Sequence, residues 1–275
     1  MTDLSTLPLR ENLRGLSPYG APQLDVPYML NTNENTHPVP EEVATAIAER
    51  VAAVAGGLNR YPDREFTGLR RALAGYLGHG LTADHVWAGN GSNEILQQIL
   101  QAFGGPGRTL LSFLPSYSMY PLLAGGTDTV FVDGGRAEDH SLSAEHAAAM
   151  VREHRPHVVF LASPNNPTGT ALDLATIEAV YAAQAENEAA GGPGAMVVVD
   201  EAYAEFALAG TRSALTLLPG RERLIVTRTM SKAFALAGAR LGYLAADPAV
   251  ADALRGADAV LLVSGTEPGR VEQHR

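Results

Sequence analysis

The sequence contains no cysteine among its 275 residues. Disulfide bridges, thiolate nucleophiles and thiolate metal sites are therefore excluded. Its eight histidines are scattered along the chain. The closest pair, His154 and His157, has no carboxylates beside it at the spacing of a metal-binding set, so no metal site is expected.

Long apolar runs and basic runs are also lacking. No apolar segment reaches the length that crosses a membrane, and the first residues, MTDLSTLPLREN, lack the charged start and apolar core of a signal peptide. The formal net charge is −10, with no basic patch, which argues against a nucleic-acid surface. We therefore expect a cytoplasmic protein that binds neither membranes nor nucleic acids.

Lysine is almost absent. Lys232, in TMSKAF (229–234), is the single lysine, and the other basic side chains apart from histidine are arginines. A genome that favours arginine would explain this rarity without any function. Arginine stays protonated in proteins, however, whereas lysine can lose its proton and act as a nucleophile. Lys232 is therefore a candidate for amine chemistry, which its neighbours must support.

The chain is long enough for one large domain. Residues 1–40 are irregular and rich in proline, and predict an N-terminal arm. Residues 41–255 predict a large domain, and residues 256–275 an atypical tail. Two helices are predicted first, one from about Pro40 with its apolar face at Val43, Ile47, Val51 and Val54, and one over 66–77.

Short apolar runs then alternate with helical patterns, which predicts an α/β fold with a mainly parallel (mixed) sheet between helices. The predicted strands are 85–89, 109–113, 129–133, 157–162, 195–200, 223–228 and 240–246, and the predicted helices lie near 92–103, 117–124, 143–154, 173–189 and 247–255, with a loop over 186–195. Such sheets bind ligands at the carboxyl ends of their strands.

Four of those strand ends carry polar clusters. Ser92 or Asn93 is expected to cap a helix whose free N–H groups favour an anion such as phosphate. Asn165 and Asn166 lie in the turn SPNNPTG, and Asp200 ends a buried strand with Tyr203 three residues later. The fourth cluster follows another strand and contains Thr229, Ser231, Lys232 and, eight residues beyond the lysine, Arg240.

Each cluster has an ordinary explanation as a helix cap, a turn or a solvated surface. Combined, they supply an amine, a carboxylate, an amide, a phenol and several phosphate donors. Pyridoxal 5'-phosphate needs such a set, because its aldehyde binds a lysine, its ring nitrogen pairs with an acid and its phosphate needs N–H groups, hydroxyls and a guanidinium.

With these residues the sequence resembles the fold-type I, pyridoxal-phosphate-dependent aminotransferases, and within them the histidinol-phosphate aminotransferases. The resemblance runs in family order over residues 10–255 and is carried by eight segments: LRGLSPYGAP, LNTNEN, LNRYPD, GNGSNEIL, PSYSMY, SPNNPTG, VVVDEAY and RTMSKAFALAGARLGY. One departure is NENT where the family usually has NENP.

The resemblance implies roles for individual residues. Lys232 would bind the cofactor's aldehyde and move the substrate proton, Asp200 would hold the ring nitrogen protonated, and Tyr203 would bond the ring's phenolic oxygen together with Asn166. Tyr117 would stack on the ring, and the phosphate would be held by Ser92, Asn93, Thr229, Ser231 and Arg240. Tyr61 would reach the phosphate of a neighbouring subunit, which implies a homodimer, and Asn33–Asn35 would line the substrate entrance.

The resemblance also implies transamination of histidinol phosphate with 2-oxoglutarate in histidine biosynthesis. Family members continue into a small C-terminal domain that supplies a substrate-binding arginine, and this chain departs from the family near Leu254. We therefore expect a truncated chain with impaired activity.

Alternative functions are an aromatic amino-acid aminotransferase, a threonine-phosphate decarboxylase-like enzyme or a non-catalytic cofactor-binding remnant. A nucleotide-binding oxidoreductase comes last, because no GxGxxG follows the first strand.

Overall fold

The structure is a computed structural model, and it describes residues 6–14, 20, 22 and 24–257. The predicted arm is irregular where it is described, apart from a short 3-10 helix at Glu11–Leu13. Residues 258–275, which make up most of the predicted tail, lie outside the described residues.

Strands and helices alternate along the described chain from Val86 to Asp200, as the sequence predicts, and the strands after Asp200 are separated only by short 3-10 helices. The helices are α1 (Glu41–Ala55), α2 (Thr67–Leu77), α3 (Ser92–Phe103), α4 (Met119–Gly126), α5 (Ala144–His154), α6 (Leu174–Ala189) and α7 (Pro248–Ala257). The strands are β1 (Val86–Gly89), β2 (Thr109–Ser112), β3 (Val130–Asp133), β4 (Val158–Ala162), β5 (Met196–Asp200), β6 (Leu224–Thr229) and β7 (Gly242–Ala246).

The strands form one sheet of seven in the order β1-β7-β6-β5-β4-β2-β3. Strands β2 to β6 pair in parallel, whereas β7 lies antiparallel to both of its neighbours, β1 and β6. The predicted α/β fold with a mainly parallel, mixed sheet flanked by helices is therefore confirmed.

The core is centred on strands that are apolar on both faces. Every residue of β4, β5 and β6 is buried, because helices cover both faces of a parallel sheet. The edge strand β3 has no fully buried residue, and Val130 is 56% exposed. The two edges of the sheet therefore differ, because β3 is partly exposed whereas β1, at the other edge, is buried at every position.

Helix α1 differs from the other helices because none of its residues is buried. Val43, Ile47 and Val51 do fall on one face, as their spacing predicts, but they remain 43–58% exposed. The amphipathic pattern was sufficient to predict the helix, and no described part of the chain covers its apolar face.

Element boundaries depart from the predictions by a few residues. Strand β7 begins at Gly242, not at residue 240, because Arg240 has a φ of +56°, in the left-handed region that extended strands do not use. The loop predicted over 186–195 begins only after α6 ends at Ala189. No helix within the described ranges is long and apolar enough to span a membrane.

Candidate active site

The candidate site lies where the carboxyl ends of several neighbouring strands meet, along the edge of the sheet that runs across the strands. Strands β4, β5 and β6 are parallel and end at Ala162, Asp200 and Thr229. Strand β7 runs the opposite way and begins at this edge, since Gly242 pairs with Thr229. Arg240 thus reaches the same edge from the amino end of a strand, while the other polar residues follow carboxyl ends.

These segments enclose a cavity of about 330 Å³. Ten of the eleven side chains predicted to form the site line it: Ser92, Asn93, Tyr117, Asn166, Asp200, Tyr203, Thr229, Ser231, Lys232 and Arg240. Tyr61 is not among the described residues that line the cavity, and it is 92% exposed. The position predicted for it, on the phosphate of a neighbouring subunit, stays a prediction.

Asp200 is held at the cavity floor by three donors. The hydroxyl of Tyr120 donates to Oδ2 over 2.9 Å, and the hydroxyl of Thr227 donates to Oδ1 over 3.1 Å. The backbone N–H of Ala202 donates to Oδ1 over 3.2 Å. The carboxylate is buried, so these bonds fix its orientation toward the cavity.

Burial raises the pKa of Asp200, an effect that its three hydrogen bonds oppose and the charge of Glu201 reinforces. A buried carboxylate with neutral donors is costly to ionise, and among the described residues no cation pairs with Asp200 to compensate for its lost hydration. A cationic ligand atom placed against Asp200 would remove that cost, so the site favours such an atom.

The amine of Lys232 lies beneath the described N-terminal segment. Its Nζ donates to the carbonyl oxygens of Thr32 and Asn33, each over 3.2 Å, and lies 5.7 Å from the centre of the Tyr203 ring. Burial lowers the pKa of Lys232, with the charge of Arg240 acting in the same direction and that of Glu34 against it. Partial burial thus lowers the free-energy cost of forming the neutral, nucleophilic amine, compared with a solvated lysine.

The N-terminal segment is held to the site by two asparagines. The Asn33 amide donates to the hydroxyl of Tyr203 over 3.1 Å. The Asn35 amide donates to the backbone carbonyls of Lys232 and Ala233, over 3.3 Å and 3.2 Å. Residues Asn33–Asn35, predicted at the substrate entrance, therefore contact both the lysine segment and Tyr203.

Helix α3 begins at the cavity wall. Its N-cap is Gly91, with a φ of +91° and no capping side chain, so the prediction that Ser92 or Asn93 caps the helix is wrong. A Cβ at Gly91 would overlap the guanidinium of Arg240. Glycine is therefore required here for its backbone conformation, and its missing side chain leaves the space that the Arg240 guanidinium occupies.

Arg240 and the start of α3 together form a site for an anion. The Arg240 guanidinium donates to the carbonyls of Ala237 and Asn90, over 3.0 Å and 3.4 Å. Ser92 begins the helix, where backbone N–H groups lack partners within the helix. A fixed cation beside a helix N-terminus favours a phosphate group.

Two hydroxyls extend this anion-binding region. The Thr229 hydroxyl donates to Oγ of Ser231 over 3.0 Å, and the Ser231 N–H donates back to Oγ1 of Thr229 over 3.1 Å. Both residues are buried at the cavity wall. Their turn also places Lys232, the next residue, over the cavity.

Tyr117 lines the same cavity and lies just before α4. Its hydroxyl donates to Oδ1 of Asn93 over 3.1 Å. Its ring meets that of Tyr120 edge-on, with centroids 5.5 Å apart. The ring is therefore oriented both by a hydrogen bond and by aromatic packing.

The two asparagines of SPNNPTG have different environments. Asn166 lines the cavity, whereas Asn165 is buried and holds the turn together. The Asn165 amide donates to the Pro115 carbonyl over 3.0 Å and to Thr168 Oγ1 over 2.7 Å. Its side-chain oxygen accepts from Ser116 over 2.8 Å, so only Asn166 has an amide free to face a ligand in the cavity.

Sequence reasoning missed Tyr120 and Thr227, the two side chains that bind Asp200. A signal for each was present. Tyr120 follows Tyr117 by three residues, and residues three apart share a helical face. Thr227 and Thr229 are two residues apart on β6, which puts both hydroxyls on one side of the sheet.

The geometry sets out what kind of ligand the cavity suits. One end holds a guanidinium, two hydroxyls and a helix N-terminus, which suit a phosphate. The floor holds a buried carboxylate, which suits a cationic ring atom, and an aromatic ring lines the cavity beside it. An amine and a phenol, those of Lys232 and Tyr203, line the same cavity.

The comparisons with known proteins agree with this site. The family model described as "Aminotransferase class I and II" matches residues 28–270. The chain belongs to the class I and II aminotransferase family. All ten of the predicted residues that line the cavity fall within the matched region.

Individual relatives are more specific. The chain is 70% identical over 252 residues to the histidinol-phosphate aminotransferase of Paenarthrobacter aurescens, and 62% identical to that of Thermobifida fusca. Each alignment covers 92% of this chain and 66% of the relative's length.

A solved structure is also similar. The histidinol-phosphate aminotransferase from Sinorhizobium meliloti, in complex with pyridoxal-5'-phosphate, is 28% identical, with a TM-score of 0.70 over 82% of this chain and 57% of that one. The fold of the described residues is thus that of a known aminotransferase.

Proposed function

We propose that this chain is a pyridoxal-phosphate-dependent aminotransferase that acts on histidinol phosphate, with 2-oxoglutarate as the amino acceptor, in histidine biosynthesis. The observation that carries the proposal is the joint placement of Lys232 and the buried Asp200 in one cavity whose other end suits a phosphate. The substrate follows from the names of relatives that are 70% and 62% identical.

The residues present fit the cofactor. Arg240, Thr229, Ser231 and the N-terminus of α3 would hold the phosphate, with Ser92 and Asn93 contributing backbone N–H groups. Asp200 would pair with the ring nitrogen, and the cost of its burial would be offset by the positive charge there. When bound, pyridoxal phosphate supplies an aldehyde for the amino group and a ring that withdraws electrons from the substrate carbon.

The side chains of this chain would then orient the cofactor ring, bond its phenolic oxygen and transfer the substrate proton. Tyr117 would orient the ring from one face, and Tyr203 and Asn166 would bond its phenolic oxygen. Lys232 would take up and return the proton at the substrate's α carbon, because its lowered pKa favours the neutral amine that can accept a proton. The N-terminal segment around Asn33 and Asn35 would limit access of water to that amine.

We also propose a homodimer. Tyr61 is 92% exposed, and α1, which precedes it, has no buried residue. An exposed tyrosine and an uncovered apolar helix face are typical of a surface that meets a second subunit. Tyr61 would then reach the phosphate bound by the neighbouring subunit. The cytoplasmic location expected from the sequence stays a prediction.

The test uses the single lysine. The purified chain, incubated with pyridoxal phosphate, should absorb in the visible range, and borohydride should fix the cofactor covalently to Lys232. The only other primary amine is the N-terminus, because every other basic side chain besides histidine is an arginine. Mass spectrometry of the reduced chain therefore identifies the attachment site directly.

Lys232→Arg is the control, since it keeps the positive charge but cannot bind an aldehyde in this way. It should remain folded and colourless, with no adduct at residue 232. A panel of amino donors with 2-oxoglutarate should show the fastest turnover with histidinol phosphate. A colourless wild-type chain would refute the cofactor, and a preference for aromatic amino acids would refute the substrate.

A further inference from the structure

Arg228 is a buried arginine that lies outside the cavity. It follows Thr227 and precedes Thr229 on β6, and successive side chains of a strand point to opposite faces. Thr227 and Thr229 face Asp200 and the cavity, so Arg228 faces the other side of the sheet. It is 8% exposed, which is unusual for a charged residue unless it is paired.

Arg228 bonds to both ends of the segment that follows β5. Its Nε donates to Oε2 of Glu201 over 2.9 Å, and its Nη2 lies 2.7 Å from the same oxygen. Its Nη1 donates to Oε1 of Glu205 over 2.8 Å. Glu201 directly follows Asp200, and Glu205 lies two residues after Tyr203, so one guanidinium holds both ends of the segment that carries Tyr203.

Further contacts tie this cluster to its surroundings. Glu201 also accepts from the hydroxyl of Ser213 and the N–H of Ala214, each over 2.7 Å. Glu205 accepts from the hydroxyl of Tyr76 over 3.2 Å. Tyr243, on β7, faces the same charges, and its burial raises its pKa. The titratable groups facing Arg228 are thus Glu201, Glu205, Tyr76 and Tyr243.

Stability alone does not account for this arrangement. Burying an arginine and a glutamate costs hydration free energy that their attraction only partly returns, so apolar residues of similar volume would serve a core as well or better. What a forked guanidinium adds is direction, because its donors point along fixed lines. Here those lines run to two carboxylates that bracket Ala202 and Tyr203.

We propose that Arg228 is a positioning residue that holds Tyr203 in place from the opposite face of the sheet. The inference rests on the proposed function, since it concerns how Tyr203 meets the cofactor's phenolic oxygen. Arg228 touches no reacting group and acts through Glu201 and Glu205.

The test compares Arg228→Gln, Glu205→Ala and Tyr203→Phe by titrating the visible absorbance of the bound cofactor against pH. A tyrosine bond to the phenolic oxygen lowers the midpoint of that transition, so its loss should raise the midpoint by roughly half a pH unit or more. The double variant Arg228→Gln with Tyr203→Phe should shift no further than Tyr203→Phe alone, because both changes remove the same bond.

Arg223→Gln is the matched control. Arg223 immediately precedes the same strand and pairs with Glu188, away from the cavity. Its substitution removes an arginine–glutamate pair without releasing the Tyr203 segment, so the midpoint should not move. Glu205→Ala decides the matter if Arg228→Gln does not fold, because the side chain of Glu205 is partly exposed and its loss leaves the Glu201 pair intact.

A second readout needs no cofactor. Hydrogen exchange of residues 201–206 should quicken several-fold in Arg228→Gln and Glu205→Ala, but not in Arg223→Gln. An unmoved midpoint, an additive double variant or unchanged exchange would overturn the inference while the proposed function stands. A wild-type chain that never binds pyridoxal phosphate would overturn the proposed function and this inference with it.

Discussion

Asp200 is a residue whose burial suits a bound ligand but lowers the stability of the cofactor-free chain at neutral pH. It is buried among neutral donors, and that burial raises its pKa. A group with a raised pKa in the folded state contributes stability at low pH, and that stability is lost as the pH rises through the folded-state pKa. At neutral pH, which lies above the ordinary range of a carboxyl group, the cofactor-free chain has therefore lost this stability.

Asp200→Asn should accordingly stabilise the cofactor-free chain at about pH 7 while it abolishes transamination. The amide keeps the shape of the carboxylate and has no charge to bury. The gain in the free energy of unfolding should shrink as the pH falls and should vanish below the ordinary range of a carboxyl group, because wild-type Asp200 is then protonated in both states. Urea unfolding at several pH values measures this difference.

Asp133→Asn serves as the comparison. Asp133 also ends a parallel strand, but it is exposed and accepts the N–H groups of Leu114 and Gly135. Its substitution removes charge from a solvated carboxylate and should give no gain. Equal or greater stabilisation by Asp133→Asn would mean that burial of Asp200 is not the cause.

At the scale of elements, the site depends on how closely helix α3 approaches strand β7. A Cβ at Gly242 would overlap the backbone of Gly91 and Ser92, where α3 begins. Backbone atoms cannot turn aside as a flexible side chain can. The anion-binding start of α3 can therefore lie beside Arg240 only because residue 242 has no side chain.

Gly242→Ala should push α3 away from β7, destabilise the fold by about 1–3 kcal/mol and weaken binding of pyridoxal phosphate. Denaturant unfolding and the titration of cofactor absorbance give the two quantities. The stability loss and the affinity loss should occur together, since one displaced helix causes both.

Gly238→Ala is the control within the same cavity. Gly238 lines the cavity, but a Cβ there meets nothing within 4 Å, and its φ is not positive. It should leave stability and affinity close to wild type. A loss at Gly238 as large as that at Gly242 would contradict the steric explanation.

At the scale of the whole molecule, the described residues leave apolar surface on the N-terminal part of the chain. Tyr28, Leu30 and Leu58 are more than 60% exposed, in addition to Tyr61 and the face of α1. Exposed apolar side chains of this kind favour association when they lie together on a surface. The proposed homodimer would place part of this surface against a second copy.

Sedimentation should therefore show concentration-dependent dimers, and Tyr61→Phe should weaken retention of pyridoxal phosphate several-fold without changing the stability of the fold. The hydroxyl of Tyr61 is the atom expected to meet the phosphate of the neighbouring subunit, and phenylalanine removes it while keeping the ring. A monomer that retains the cofactor equally well in both forms would rule out a shared site.

Much of the fold was accessible from pattern alone. Strands β4 and β5 are apolar at nearly every position, which predicts burial on both faces, and helix α3 lies where its period predicted it. The antiparallel direction of β7 was not accessible, because local propensity is the same for both directions. The sequence therefore predicted that Arg240 belongs to the site, but it did not predict that the antiparallel strand β7 places it there.

The site divides in the same way. Residue types and strand ends were enough to predict Lys232, Asp200 and Tyr203 as site residues, since residue identity alone gives the amine, the carboxylate and the phenol. Tyr120, Thr227 and Arg228 were missed as site residues, because their importance comes from partners 80, 27 and 23–27 residues away in sequence.

The sequence by itself determined which reactive groups exist and which strand ends carry them, because both follow from residue identity and local periodicity. Only the tertiary structure decided that Asp200 is buried under Tyr120 and Thr227, that the Lys232 amine lies beneath the carbonyls of Thr32 and Asn33, and that Gly91 and Gly242 make room for Arg240 and α3. The reason is that burial, pKa and close approach are properties of neighbours in space, which chain folding brings together from distant positions.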